Sequence, residues 1–125
     1  MSKVILVVDD SSTIRKFVAV SLSLQGFEVV TACDGMDALE KLPGRRFDLI
    51  ITDLNMPKMD GFELIKALRE NPEYQDIPVI ILTSLPEERH MDTGFGVGAT
   101  SFLMKPFRPE KIRYEVLKCI AMSEN

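Results

Sequence analysis

The chain has 125 residues, 15 Lys and Arg against 19 Asp and Glu, and a net charge of −4, which fits one domain with a core of ordinary size. Hydrophobic residues at 46% and charged residues at 27% exclude a disordered or low-complexity chain. The basic residues are scattered, which argues against direct nucleic-acid binding.

In chain order, Val4 to Val8 is an apolar, β-branched run that reads as a buried strand. It is too short for a signal-peptide core or a bilayer span and ends in Asp9 and Asp10, so a cytoplasmic protein without membrane insertion is expected. Ile14, Phe17, Val18, Ser21 and Leu22 then share one helical face, and Gly26 stops that helix. Val29 to Thr31 predicts a second strand, and Ala38, Leu39 and Leu42 a second helix. Leu49 to Thr52 predicts the third strand, followed by Asp53, and Phe62, Ile65 and Leu68 the third helix.

Val79 to Thr83 predicts a fourth strand, with Ser84 after it. From Glu87 to Ala99, Met91 and Phe95 give a fourth helix an apolar face, but Gly94, Gly96 and Gly98 interrupt it. Each interior glycine costs a helix about 1 kcal/mol relative to alanine, so this helix is expected to be short or mobile. His90, the only histidine, has no metal-ligand partner nearby in sequence and is expected to face solvent. Ser101 to Met104 predicts the fifth strand, ahead of Lys105 and Pro106, and the last helix begins near Pro109 and packs Ile112, Val116, Leu117 and Ile120 inward. Cys33 and Cys119, far apart and without CxxC spacing, read as reduced packing residues.

Strand and helix alternate throughout, without repeat or linker, which predicts a single domain over residues 1–125: a doubly wound α/β fold with five parallel strands and helices on both faces. Such sheets carry their sites beyond the carboxyl ends of the strands. There the sequence puts Asp9 and Asp10, Asp53, Thr83 with Ser84, and Lys105. Three carboxylates in one pocket repel one another unless a cation or the lysine compensates, which suggests a metal site. Mg²⁺ suits it, with Mn²⁺ as an alternative, because it takes oxygen ligands from one or two carboxylates and a phosphoryl group. Taken singly, each residue also has a plainer reading. Asp9 and Asp10 suit a helix cap, Asp53 a turn before Pro57, Thr83 a strand and Lys105 a solvated surface.

The joint pattern resembles the receiver domains of two-component response regulators, including the stand-alone chemotaxis type, over nearly the whole chain. The segments that carry the resemblance are VILVVDDSS, DLIITDLNMPKMDGFEL, VIILTS and FLMKPF. It implies the flavodoxin-like strand order 2-1-3-4-5. It also implies Asp53 as phosphoacceptor, Asp10 as direct Mg²⁺ ligand, Asp9 acting on the metal mainly through water, and Asn55 lending its backbone carbonyl. Thr83 would bond the phosphoryl group, Lys105 would be its counter-charge, and the Lys105–Pro106 bond is expected to be cis. Asn55 and Leu85 are the expected tuners of hydrolysis. Phe102 stands where many relatives carry tyrosine, so the packing half of the conformational switch is retained without the hydroxyl.

The implied partners are a histidine kinase or phosphotransfer protein as donor and a downstream protein on the face of the fourth helix, fifth strand and last helix. A monomeric signalling phosphoacceptor, not an enzyme in the usual sense, is the expectation. A haloacid-dehalogenase-type phosphatase would place its nucleophile in a DxD motif after the first strand, where this chain has DDSS and no cap domain. A flavodoxin-like mononucleotide site would set phosphate against Asp9 and Asp10, with no tryptophan to stack on a flavin. A degenerate receiver that only docks partners would not retain Asp53, the acidic pair, Thr83 and Lys105.

Overall fold

The β-branched runs place five parallel strands edge to edge in a computed structural model that describes residues 2–84 and 88–124. The elements are β1 Val4–Val8, α1 Ser12–Ser23, β2 Glu28–Ala32, α2 Gly35–Lys41, β3 Leu49–Asp53, α3 Gly61–Arg69, β4 Val79–Thr83, α4 Glu88–Val97, β5 Ser101–Met104 and α5 Pro109–Ser123. Strand order is β2-β1-β3-β4-β5, the order that the family resemblance implies. Leu6 lies opposite Val30 and Ile50, and Ile81 opposite Thr52 and Phe102.

The strands are apolar on both faces because helices cover both. Leu6, Val8, Ile50 and Ile81 pack with Ala38 of α2, Leu42 just after it, and Leu64 and Leu68 of α3. Ile5, Val7, Leu49, Ile51 and Leu82 pack on the other side with Val18 and Leu22 of α1 and Ile112 and Val116 of α5. Each fully buried Leu, Ile or Val contributes on the order of 1.5–3 kcal/mol relative to an exposed one.

Several helix faces differ from the predicted ones. In α5, Leu117 is 48% exposed and Cys119 is buried in its place. Leu117 lies five residues beyond Ile112, rotated by roughly 140° from the packed stripe, whereas Cys119 falls back onto it at i+7. Cys33 is exposed and is not a packing residue, since it follows the end of β2 where the chain turns toward α2. Phe17 is half-exposed, with its ring against Phe107. The glycines do not interrupt α4, which runs through Gly94 and Gly96 and ends at Gly98, φ +111°. There the Ala99 N–H donates to the Gly94 carbonyl and the Gly98 N–H to that of Phe95, a helix stop that favours glycine. Phe95 is 48% exposed, so the buried face of α4 passes through Gly94 instead. The expectations for Leu85, Glu87 and the His90 side chain lie outside the described residues.

Candidate functional site

Because parallel strands end in register, β1, β3 and β5 deliver their terminal charges to one place. Asp9 follows β1 directly, and its N–H donates to the Ala32 carbonyl at 3.1 Å, which continues the ladder one residue beyond the strand. Asp53 is the last residue of β3, not the first of the loop, and its Oδ1 accepts the Leu54 N–H at 2.9 Å. Lys105 follows β5, its N–H donating to the Thr83 carbonyl at 2.8 Å, and the Lys105–Pro106 bond is cis.

Carboxylate oxygens of Asp9, Asp10 and Asp53 all lie within 4.8 Å of one another. Asp9 is fully buried and Asp53 only 7% exposed, while Asp10 is open to solvent. Lys105 Nζ donates to Asp53 Oδ1 at 3.2 Å and to Asp9 Oδ2 at 3.3 Å. The other Asp9 oxygen accepts the Ser11 N–H at 2.9 Å, so Asp9 is held from two sides. Ser11 caps α1 by accepting the Ile14 N–H, which leaves Asp10 free of the capping duty its sequence context also allowed.

Burial, followed by repulsion from Asp9, pushes the Asp53 carboxyl above its usual pKa, with Lys105 and the Leu54 N–H pulling against it. Burial alone would lower the Lys105 ammonium, but Asp53 and Asp9 outweigh it and the net direction is upward. One lysine thus compensates two buried carboxylates incompletely. Hard oxygen donors with surplus negative charge fit a small divalent cation, so the residues present suit a metal of the Mg²⁺ class.

Thr83 ends β4 beside this cluster, 3% exposed. Asn55 is exposed in the loop after β3. Phe102 is half-buried on β5, its ring edge-on to Phe95 with centroids 5.1 Å apart.

Two supporting residues were not singled out from the sequence. Gly61 opens α3 against the backbone at the end of β3, and a Cβ there would meet the Asp53 carbonyl oxygen at 2.6 Å and Leu54 Cα at 3.1 Å. Its place is fixed by a capping box, in which Asp60 accepts the Glu63 N–H at 2.8 Å and Glu63 accepts the Asp60 N–H at 3.1 Å. The D-G-F-E string carried that signal. The second is Arg15, whose Nη1 donates to the Asp9 carbonyl at 2.6 Å and holds the turn from which Asp10 projects. A lone arginine on a helix gives no such signal in sequence.

The family model for the response regulator receiver domain matches residues 5–117. The chain is 38% identical over 123 residues to a protein of Cyanophora paradoxa described as a probable transcriptional regulator, ycf27, covering 98% of this chain and 50% of that protein. It is 37% identical over 124 residues to the alkaline phosphatase synthesis transcriptional regulatory protein PhoP of Bacillus subtilis, covering 99% and 51%. The chain therefore spans about half the length of these curated relatives. Among solved structures, the chemotaxis protein CheY4 of Vibrio cholerae superposes with a TM-score of 0.92 at 42% identity, covering 95% of this chain and 99% of that one. With the fold in accord with these matches, the chain belongs to the response regulator receiver domains, a family of signalling phosphoacceptors.

Proposed function

We propose that Asp53 accepts a phosphoryl group from a histidine kinase or phosphotransfer protein. What carries this reading is Lys105 Nζ bridging Asp53 and Asp9 inside a cluster of three converging carboxylates. An Asp53 oxygen attacks the phosphorus of a phosphohistidine, the O–P bond forms as the N–P bond breaks, and the imidazole leaves. Lys105, already on Asp53, needs only a small movement to pair with an oxygen of the transferred group. Asp9, Asp10, Asp53 and the Asn55 carbonyl would hold Mg²⁺ or Mn²⁺, and the bound cation supplies positive charge against the phosphoryl oxygens. Water attack on phosphorus later releases inorganic phosphate and restores the carboxylate. Asn55, exposed in the loop after β3, would tune that step.

The Thr83 hydroxyl turns toward the new oxygens, and Phe102 fills the space it leaves, so that β5 reports the state of Asp53. The receiving surface for a downstream protein is the α4–β5–α5 face, where Phe95, Met104, Tyr114 and Leu117 are exposed. We assign it a protein partner and no nucleic acid, since the basic residues of the chain are scattered.

Incubation with acetyl phosphate and Mg²⁺ should add one phosphoryl group by intact mass, and Asp53→Asn should abolish the addition. Addition persisting in that variant would move the acceptor elsewhere. Millimolar Mg²⁺ should also raise the melting temperature of the wild type and leave Asp10→Asn nearly unmoved, because a ligand that binds only the folded state stabilises it. Equal shifts in both proteins would remove Asp10 from the metal site.

A further inference from the structure

The three glycines of the α4 region are not equivalent. At Gly96 an added Cβ would meet no atom within 4 Å. At Gly98 the positive φ accounts for the glycine. Gly94 has neither excuse: it lies inside the helix, buried, with no positive φ, where alanine would favour the helix by about 1 kcal/mol. A Cβ on Gly94 would sit 2.4 Å from Cζ and 3.0 Å from Cε2 of Phe102, and 3.1 Å from Cδ1 of Ile81. Real carbon atoms do not approach so closely, so any side chain at this position must displace the Phe102 ring. Phe95, one residue along the helix, closes the other side by its edge-on contact with the same ring. The helix thus has a notch at Gly94 and a wall at Phe95, and the ring occupies the notch.

We infer that Gly94 is the seat of the Phe102 ring, and that its lack of a side chain decides whether the ring can hold the half-buried position from which β5 reports on Asp53. This rests on the switch assigned above to Thr83 and Phe102. Occupying the seat couples α4 to β5 by shape alone, without the hydroxyl that a tyrosine would bring. A methyl group at position 94 turns the ring outward, and a state of Asp53 that favours the seated ring is disfavoured by the same amount through linkage.

The test uses Gly94→Ala, Gly96→Ala, Phe102→Ala and the double variant Gly94→Ala/Phe102→Ala. Thermal unfolding gives the first readout. Gly96→Ala should raise the melting temperature, Gly94→Ala should lower it, and Gly94→Ala made on the Phe102→Ala background should raise it, because the ring is gone. NMR of ¹³C-phenylalanine-labelled protein should show the Phe102 ring resonances moving in Gly94→Ala and not in Gly96→Ala. Gly94→Ala that stabilises the wild type, with those resonances unmoved, would overturn the seat.

The link to the phosphoryl site is read by titrating beryllofluoride, a phosphoryl analogue, in the presence of Mg²⁺. Gly94→Ala should change its binding at least threefold and Gly96→Ala should not. Unchanged affinity in Gly94→Ala with a displaced ring would overturn the coupling. A wild type that fails to bind beryllofluoride at all would overturn the phosphoryl reading and the reporting role with it, while the signs of the melting shifts would still decide the seat.

Discussion

Two groups of partly buried charge sit at opposite ends of the sheet, and they are satisfied to very different degrees. At the carboxyl ends of the strands, Asp9 and Asp53 share one lysine. At the other end Arg69, the last residue of α3, spreads its guanidinium over backbone carbonyls. Nε and Nη2 donate to the Gly98 carbonyl at 3.1 and 2.8 Å, and Nη1 donates to Gln75 at 3.0 Å, Ile77 at 2.7 Å and Tyr74 at 3.4 Å. Burial pushes the Arg69 pKa down, with Asp76 partly opposing, yet its donors are matched by acceptors that cannot themselves ionise. Asp53, by contrast, has its proton affinity raised by burial and then by Asp9. Charge at the Arg69 end holds the loop before β4 to the stop of α4, whereas charge at the Asp53 end is left under-compensated.

The largest expected effect comes from breaking the satisfied end. Arg69→Met keeps the aliphatic stem and removes every donor, leaving the carbonyls of Gly98, Gln75 and Ile77 to find other partners. A loss of about 3 kcal/mol in unfolding free energy is expected, since partly buried carbonyls deprived of a charged donor carry their desolvation cost uncompensated. Urea denaturation measures it. A loss under about 1 kcal/mol would mean that water replaces the guanidinium readily and that the contrast between the two ends is smaller than the geometry implies.

The under-compensated end should respond with the opposite sign. A carboxyl whose folded pKa lies above its unfolded value contributes stability that is present at low pH and lost as pH rises through the folded value. Above its folded value, wild-type Asp53 has lost that contribution. Asp53→Asn, which never ionises, should be the more stable protein there, by roughly 1 kcal/mol, the usual size of a single-site effect. The advantage should close as pH falls toward about 4, where the unfolded carboxyl also protonates. Denaturation midpoints of both proteins between pH 4 and 7, without divalent cations, give the comparison. An Asn variant that is the weaker of the two at pH 7 would show that Lys105 compensates Asp53 fully.

How far each end was legible in the sequence follows from the range of the interactions. The strands and the charges at their ends were readable because β-branched runs mark the strands, and parallel topology then brings their last residues together without further information. Arg69 was invisible to the same reading, because its partner Gly98 is 29 residues away and the contact is to a carbonyl, which every residue carries. Leu117 and Phe95 were misplaced because apolar identity does not fix orientation on a helix whose neighbours decide which stripe is covered. The glycines of α4 could be counted in the sequence, but only packing separates Gly94, which faces a ring, from Gly96, which faces nothing.

A third buried charge lies between these extremes and gives the smallest effect. Glu115 of α5 is 5% exposed, and Ser101 Oγ at the start of β5 donates to its Oε2 at 3.2 Å. Lys118 approaches the same oxygen at 3.5 Å and Lys111 the other at 3.8 Å, both on half-exposed side chains. Unlike the Arg69 carbonyls, this carboxylate keeps two cations when its hydroxyl donor is removed, and unlike Asp53 it lies outside the cluster of Asp9, Asp10 and Asp53. Ser101→Ala should therefore cost only about 0.5 kcal/mol, the low end for a hydrogen bond, because the lysines close in on the freed oxygen. Since that compensation is electrostatic and near the surface, the cost should grow at 1 M salt, where the lysines are screened and the hydrogen bond would not have been. A cost that is the same at low and high salt would place Glu115 with Arg69, held by its hydrogen bond, and not with the charges that lean on their neighbours.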